Sequence, residues 1–174
     1  QRDIFEDVTK NKNTEEKNYA SSFPENEIIY QASHNGAYFR DKQYRGGILS
    51  LKIDNKIETF SKGIGVHAGC TITFDLRKHN YDKFSTYYGM DPSQNGSTGA
   101  KISFYTSDSD DVNHTTWDIL EEDPQEYFYT TNARKVSLNV QNKKFLRITI
   151  NSLPGRSNSY NHINFAQAMF HKNS

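Results

Sequence analysis

The sequence predicts an all-β domain, a β-sandwich or jelly roll, on three observations. Short runs that alternate apolar and polar residues recur roughly every ten positions. Clusters of Asp, Ser, Asn and Gly separate the runs, which is turn chemistry. No run of about twelve residues in the body keeps a helical apolar period. Length and composition agree with this reading. A chain of 174 residues suffices for one domain with a substantial core. Aromatic content is 13%, carried by 11 Tyr and 11 Phe against one Trp, and these residues favour strands.

Residues 1–26 are polar and rich in Asn, Lys and Glu, with Ile4, Phe5, Val8, Tyr19 and Phe23 scattered among them. They read as a leader or linker, with a short helix around Asn13 to Ala20, closed by Pro24. The sandwich is assigned to 27–174. Strands are expected at 28–33, 47–53, 63–67, 70–76, 82–90, 100–106, 116–121, 134–140, 145–151 and 162–170. Alternation is clearest over Lys101 to Thr106, Lys135 to Val140 and Phe145 to Ile150, each placing its apolar side chains on one face. Loops are expected at Pro92 to Gly99, Ser107 to His114, Gln141 to Lys144 and Leu153 to Asn161.

Several function classes are disfavoured. With 21 basic and 21 acidic residues, nothing suggests an electrostatic grip on nucleic acid or an anionic membrane. No apolar stretch is long enough for membrane insertion. One cysteine, Cys70, permits no intramolecular disulfide and no cysteine zinc site, and it reads as a small strand residue. Glu121, Glu122 and Asp123 form a carboxylate cluster, but neighbours on a strand point to opposite faces, so Glu121 and Glu122 cannot form a glycosidase pair alone. They read as a solvated strand end. The six His are scattered and lack a helical zinc pattern. The run Asp108 to Asn113 fails the EF-hand pattern at its sixth and twelfth positions, Asn113 and Ile119, and reads as a solvated hairpin turn. No cofactor is expected. A structural calcium held by loop carbonyls and carboxylates stays open.

The strongest local signal is Lys62-Gly63-Ile64-Gly65-Val66-His67-Ala68-Gly69, leading into Thr71 to Leu76. No helix follows it, so it is not a phosphate loop. Glycines inside a strand mark a bend or a close backbone approach, and His67 reads as a hydrogen-bonded core group.

Here the chain resembles the NPCBM domains (novel putative carbohydrate-binding module, also carbohydrate-binding module family 51). Lys62 to Ala68, Phe74-Asp75-Leu76 and Gly89-Met90-Asp91 carry the likeness, supported by Gln31 to Gly36, Asp41 and Gly46 to Leu51. Near the end, Asn161-His162-Ile163-Asn164-Phe165-Ala166-Gln167-Ala168 stands where the family has two acids and a Trp. The resemblance spans roughly 28–170. It implies a galactose-binding-domain-like jelly roll, non-catalytic, attached to a secreted bacterial glycoside hydrolase or mucin-directed peptidase. The implied partner is a glycan ending in galactose or of blood-group A/B type.

A sugar needs an aromatic platform and a few convergent donors and acceptors. Two loop segments offer both, His34 to Arg40 and Arg156 to His162. Tyr38 or Tyr160 is the expected stacking ring. Asn35, Arg40, Asn158 and His162 are the expected hydrogen-bonding groups, with Asn164 added from the terminal motif. Trp117 is read as core or as part of a partly exposed sheet face. Two alternatives remain open: a docking domain that has lost its sugar site, motivated by the altered terminal motif, and, more weakly, a small hydrolase.

Overall fold

The structure, a computed structural model, describes residues 15–113 and 116–173. Residues 1–14, with Ile4, Phe5, Val8 and the start of the expected helix, lie outside the described residues, as do His114 and Thr115. The described residues form thirteen strands and no α-helix. These are β1 (Glu15–Tyr19), β2 (Ile28–Ala32), β3 (Phe39–Arg40), β4 (Leu49–Ile53), β5 (Lys56–Phe60), β6 (Gly63–His67) and β7 (Cys70–Asp75). They continue with β8 (Lys83–Met90), β9 (Ala100–Ser107), β10 (Asp118–Glu122), β11 (Arg134–Asn139), β12 (Phe145–Ser152) and β13 (His162–Asn173).

The strands make two antiparallel sheets. One is ordered β11-β8-β13-β6-β3, with β1 pairing the far half of β13; the other is ordered β10-β9-β12-β7-β2. A third, two-stranded sheet is the β4–β5 hairpin. The core lies between the two large sheets, where Ile72, Phe74, Phe84, Tyr88, Phe104, Ile148, Phe165 and Phe170 are almost fully buried. Alternation survives where one face meets water, as on β11, where Val136 and Leu138 point inward. It fails on β6, buried from Gly63 to Val66, because the 41–48 segment covers its second face.

The glycines of β6 match the expected close approach. A Cβ on Gly65 would collide with the Lys42 carbonyl, and one on Gly63 with the Phe165 carbonyl.

Three elements differ from expectation. Residues 15–19 form strand β1 rather than a helix, followed by a single 3-10 turn over Ala20–Ser22. A helix of eight residues is marginal in water, whereas the far half of the twelve-residue β13 offers unpaired backbone to a strand. The rest of this segment also packs on the domain: Phe23 is 1% exposed, against Phe74 and Phe170. Strand β5 was not expected because its solvent-facing residues carry little apolar alternation. Asp54 and Asn55, both at positive φ, form the tight turn into it. The third is β3, two residues long, inside a segment read as loop.

The carboxylate cluster differs as well. Asp123 is buried, not solvated, and accepts hydrogen bonds from Tyr88 Oη at 2.6 Å and Tyr127 Oη at 2.5 Å. Burial alone would raise its pKa. Hydrogen bonds from Tyr127, Tyr88 and the Gln125 N–H, with the charge of Arg134, hold it below the usual carboxylate range. Glu121 is tied to Arg134 at 2.7 Å. The 108–113 turn is pinned by Lys144 Nζ on Asp110 at 2.7 Å and Lys143 Nζ on Asp108 at 3.3 Å.

Candidate functional site

Strand direction gathers five connections at one end of the sandwich: 33–38, 68–69, 91–99, 123–133 and 153–161. Backbone and side-chain bonds lace them together. The Ser33 N–H donates to Gly69 O at 2.9 Å, and the Ala68 N–H to Asn161 O at 2.8 Å. Thr98 Oγ1 donates to Ser157 O, and the Tyr129 N–H to Ser97 Oγ. A rim so tied is preorganised rather than floppy.

Three histidines and a tyrosine meet on this rim. His67 ends β6 and stands opposite His162, the first residue of β13. Their ring centroids are 5.3 Å apart. His34 packs on His67 at 5.1 Å. Tyr44, carried up beside β6 by the 41–48 segment, lies 5.0 Å from His162 and 5.3 Å from His67. Arg45 stands exposed over the Tyr44 ring. The turn at Gly69 has φ +91, and a side chain there would strike Ser33 Oγ and Asn158.

Two of these imidazoles, His67 and His162, are held neutral. Burial lowers the pKa of His67, with His34 and Arg45 adding repulsion against the Ala68 hydrogen bond. Burial likewise pushes His162 down to about 4, helped by His67 and Arg45 and opposed by Asp91. A neutral imidazole offers one donor and one acceptor nitrogen. His67 Nδ1 donates to Ala68 O at 3.0 Å, leaving Nε2 as its acceptor. His34 Nε2 donates to His67 O at 3.3 Å. His162 Nδ1 is buried without a protein partner. The set is mixed in donors and acceptors, as sugar hydroxyls require, with aromatic edges between them.

The residues expected at the site divide. Asn35 is exposed on the bend after His34. Asn158 reaches the cluster, donating to Ala68 O at 2.6 Å and accepting from Asn161 at 2.9 Å. Tyr160 is 57% exposed, at φ +59, with its ring over Gly96. His162 sits in the cluster itself.

Tyr38 and Arg40 are turned elsewhere. Arg40 Nη1 donates to Ser21 O and Phe23 O, both at 2.7 Å, and Nη2 to Tyr38 Oη at 3.2 Å. Tyr38 packs on Tyr30 at 5.5 Å. Arg40 therefore binds the N-terminal segment, whose orphan carbonyls need a donor. Asn164 is fully buried and donates to Ser50 O at 2.8 Å and to Asp91 Oδ2 at 3.0 Å, so it supports the rim from below. Asn161, also buried, accepts the Thr98 and Gly99 N–H groups and donates to Thr98 Oγ1 and Asn158.

His34, His67, Tyr44 and Arg45 were not among the expected contacts. The signal for His67 lay in the sequence as a histidine at the end of a glycine-bearing strand. Its partners, 33 and 95 positions away, are brought to it by strand pairing and loop return. Among the described residues, no group of three or more His, Cys, Asp or Glu is placed to hold a metal. No helix among them is long and apolar enough to cross a membrane.

Known proteins share this architecture. A carbohydrate-binding module (CBM51) of a family 95 glycoside hydrolase from Clostridium perfringens, solved with methyl-galactose, superposes with a TM-score of 0.73 at 22% identity, covering 89% of this chain and 99% of that one. The CBM51-2 module of C. perfringens ZmpB, solved with GlcNAc, gives 0.76 at 21% identity, over 92% of this chain and 32% of that one. In sequence, the chain is 32% identical over 128 residues to the C. perfringens blood-group-substance endo-1,4-beta-galactosidase, covering 70% of this chain but 16% of that enzyme. The NPCBM/NEW2 domain family matches residues 17–171, and with sheets, rim and sequence in agreement, the chain belongs to that family of non-catalytic carbohydrate-binding modules.

Proposed function

We propose that the rim binds the terminal galactose of a host glycan, including blood-group-type chains, and that the domain thereby targets an attached extracellular glycoside hydrolase or mucin-directed peptidase. The observation that carries this reading is the aromatic and polar cluster of His34, His67, His162 and Tyr44, with Asn158 and Arg45 at its margin. Exposed Asn35 and Tyr160 flank it. The methyl-galactose complex of a module with this fold and the blood-group substrate of the sequence relative favour galactose. The inward placement of Asn161 and Asn164 supports sugar binding over a docking domain, because the altered motif residues are structural and would not contact a ligand.

Isothermal titration with methyl β-galactoside, beside a glycan array, tests the proposal. Binding should be weak, in the micromolar to millimolar range of about −8 to −4 kcal/mol. His67→Ala and Asn158→Ala should each lower affinity about tenfold or more, the cost of removing one polar contact that orders a hydroxyl. Silence across galactose-terminated glycans, with the protein folded, would leave the docking reading standing instead.

A further inference from the structure

The outer face of the β10-β9-β12-β7-β2 sheet carries a feature that the rim does not explain. Cross-strand pairing sets Tyr105, Arg147 and Thr73 in one row and Thr149 beside Thr71 in the next. Trp117, the only tryptophan, precedes β10 and lies half-buried over this face. The Arg147 guanidinium stacks on its ring at 4.1 Å. Arg147 Nε donates to Thr73 Oγ1 at 2.8 Å, which fixes the plane of the fork and leaves its two terminal amino groups. Thr71, Tyr105, Trp117, Arg147 and Thr149 line a shallow depression of about 260 Å³.

Among the described residues, no acid is paired with Arg147. The nearest acid along β7, Asp75, is held by Arg77 through two bonds of 2.9 and 2.8 Å. Burial is the influence acting on the Arg147 charge, and it pushes the pKa down. A half-buried guanidinium held rigid without a carboxylate is an incomplete pair, and a planar carboxylate completes it bidentately. Threonine hydroxyls and two aromatic walls beside it suit a sugar ring.

We infer that this depression is a second saccharide site, separate from the rim, for a carboxylate-bearing monosaccharide: Arg147 takes the carboxylate, Trp117 and Tyr105 the C–H face, and Thr71 and Thr149 the hydroxyls. Sialic and uronic acids share this chemistry.

The test follows the single indole N–H resonance of Trp117 in the ¹⁵N-labelled chain. Methyl glycosides of N-acetylneuraminic acid and of glucuronic acid are titrated separately, with methyl β-galactoside as the neutral control. The expected result is saturable movement of the indole signal with an acidic sugar, the responding arm naming which acid. Arg147→Gln should weaken it about tenfold or more, as loss of a charge-assisted pair requires, and His67→Ala should leave it unchanged. Movement with neither acid, equal movement with the neutral galactoside, or full affinity in Arg147→Gln would overturn the inference. If Arg147→Gln does not fold, Thr149→Val and a salt series decide. Several-fold weakening by the substitution and by added NaCl supports the site, and indifference to both refutes it.

Discussion

His162 ties the chemistry of the rim to the stability of the fold. Its pKa is about 4 in the folded chain against 6.5 unperturbed, because burial disfavours the charged ring. Between those values the unfolded chain binds the proton and the folded one does not. Stability is therefore fully present above pH 6.5 and is lost as pH falls towards 4, by on the order of 2 kcal/mol after allowance for the ring's partial exposure. His67 is displaced in the same direction. Urea denaturation at pH 7.5 and pH 5 should show this loss, and His162→Asn should flatten it. An unchanged slope in the variant would remove His162 as its source. Asn164 yields a second test. Its amide donates to the buried Asp91, so Asn164→Asp would set two buried carboxylates against each other. The variant should lose roughly 3 kcal/mol at pH 7, as an uncompensated buried charge does, and recover part of it on acidification. Thermal melts of both proteins across that range measure it. A residue type read from sequence does not disclose such a role: Asn164 and Asn158 look alike in the chain, and burial alone separates the brace from the rim.

Strand β6 shows how an element can be legible for its backbone and opaque for its use. The glycines in Lys62 to Gly69 pointed to a close approach, and the carbonyls of Lys42 and Phe165 are what approach. Gly65→Ala should therefore destabilise by about 2 kcal/mol or more, since backbone rather than a flexible side chain must yield. Chemical denaturation checks it, and a neutral effect would mean that the 41–48 segment moves away freely. Regular strands were readable because one wet face preserves period-two patterning, as on β9, β11 and β12. Strands β1 and β5 were not, because their pairing partner rather than their own apolar pattern makes them strands. Arg40 shows the same limit in a side chain. Its loop context suggested a ligand, and its two bonds to Ser21 O and Phe23 O make it a clamp on the N-terminal segment.

At the scale of the molecule, residues 15–23 close one side of the sandwich. Deleting residues 1–24 removes β1 and the buried Ala20 and Phe23, and leaves Arg40 Nη1 without its two carbonyl acceptors. The loss should exceed about 4 kcal/mol, the scale of a single buried aromatic removed with its neighbours. A denaturation midpoint equal to that of the full chain would mark the segment as dispensable. Tethering gives a whole-protein expectation as well. If the rim binds galactose as proposed, the domain fused to a glycosidase should raise turnover on dilute galactose-bearing mucin and leave small soluble substrates unaffected, because tethering raises effective concentration. Kinetics on both substrates, with and without His67→Ala, would measure it. The sequence by itself determined the all-β class, most strand positions, the two close-approach glycines and the family, since each is written in local pattern or contiguous motif. Only the tertiary structure decided which polar residues form the rim. His34, Tyr44, His67 and the Asn158–His162 pair come from four separated segments of the chain, and long-range strand pairing, which no local pattern encodes, brings them within reach of one another.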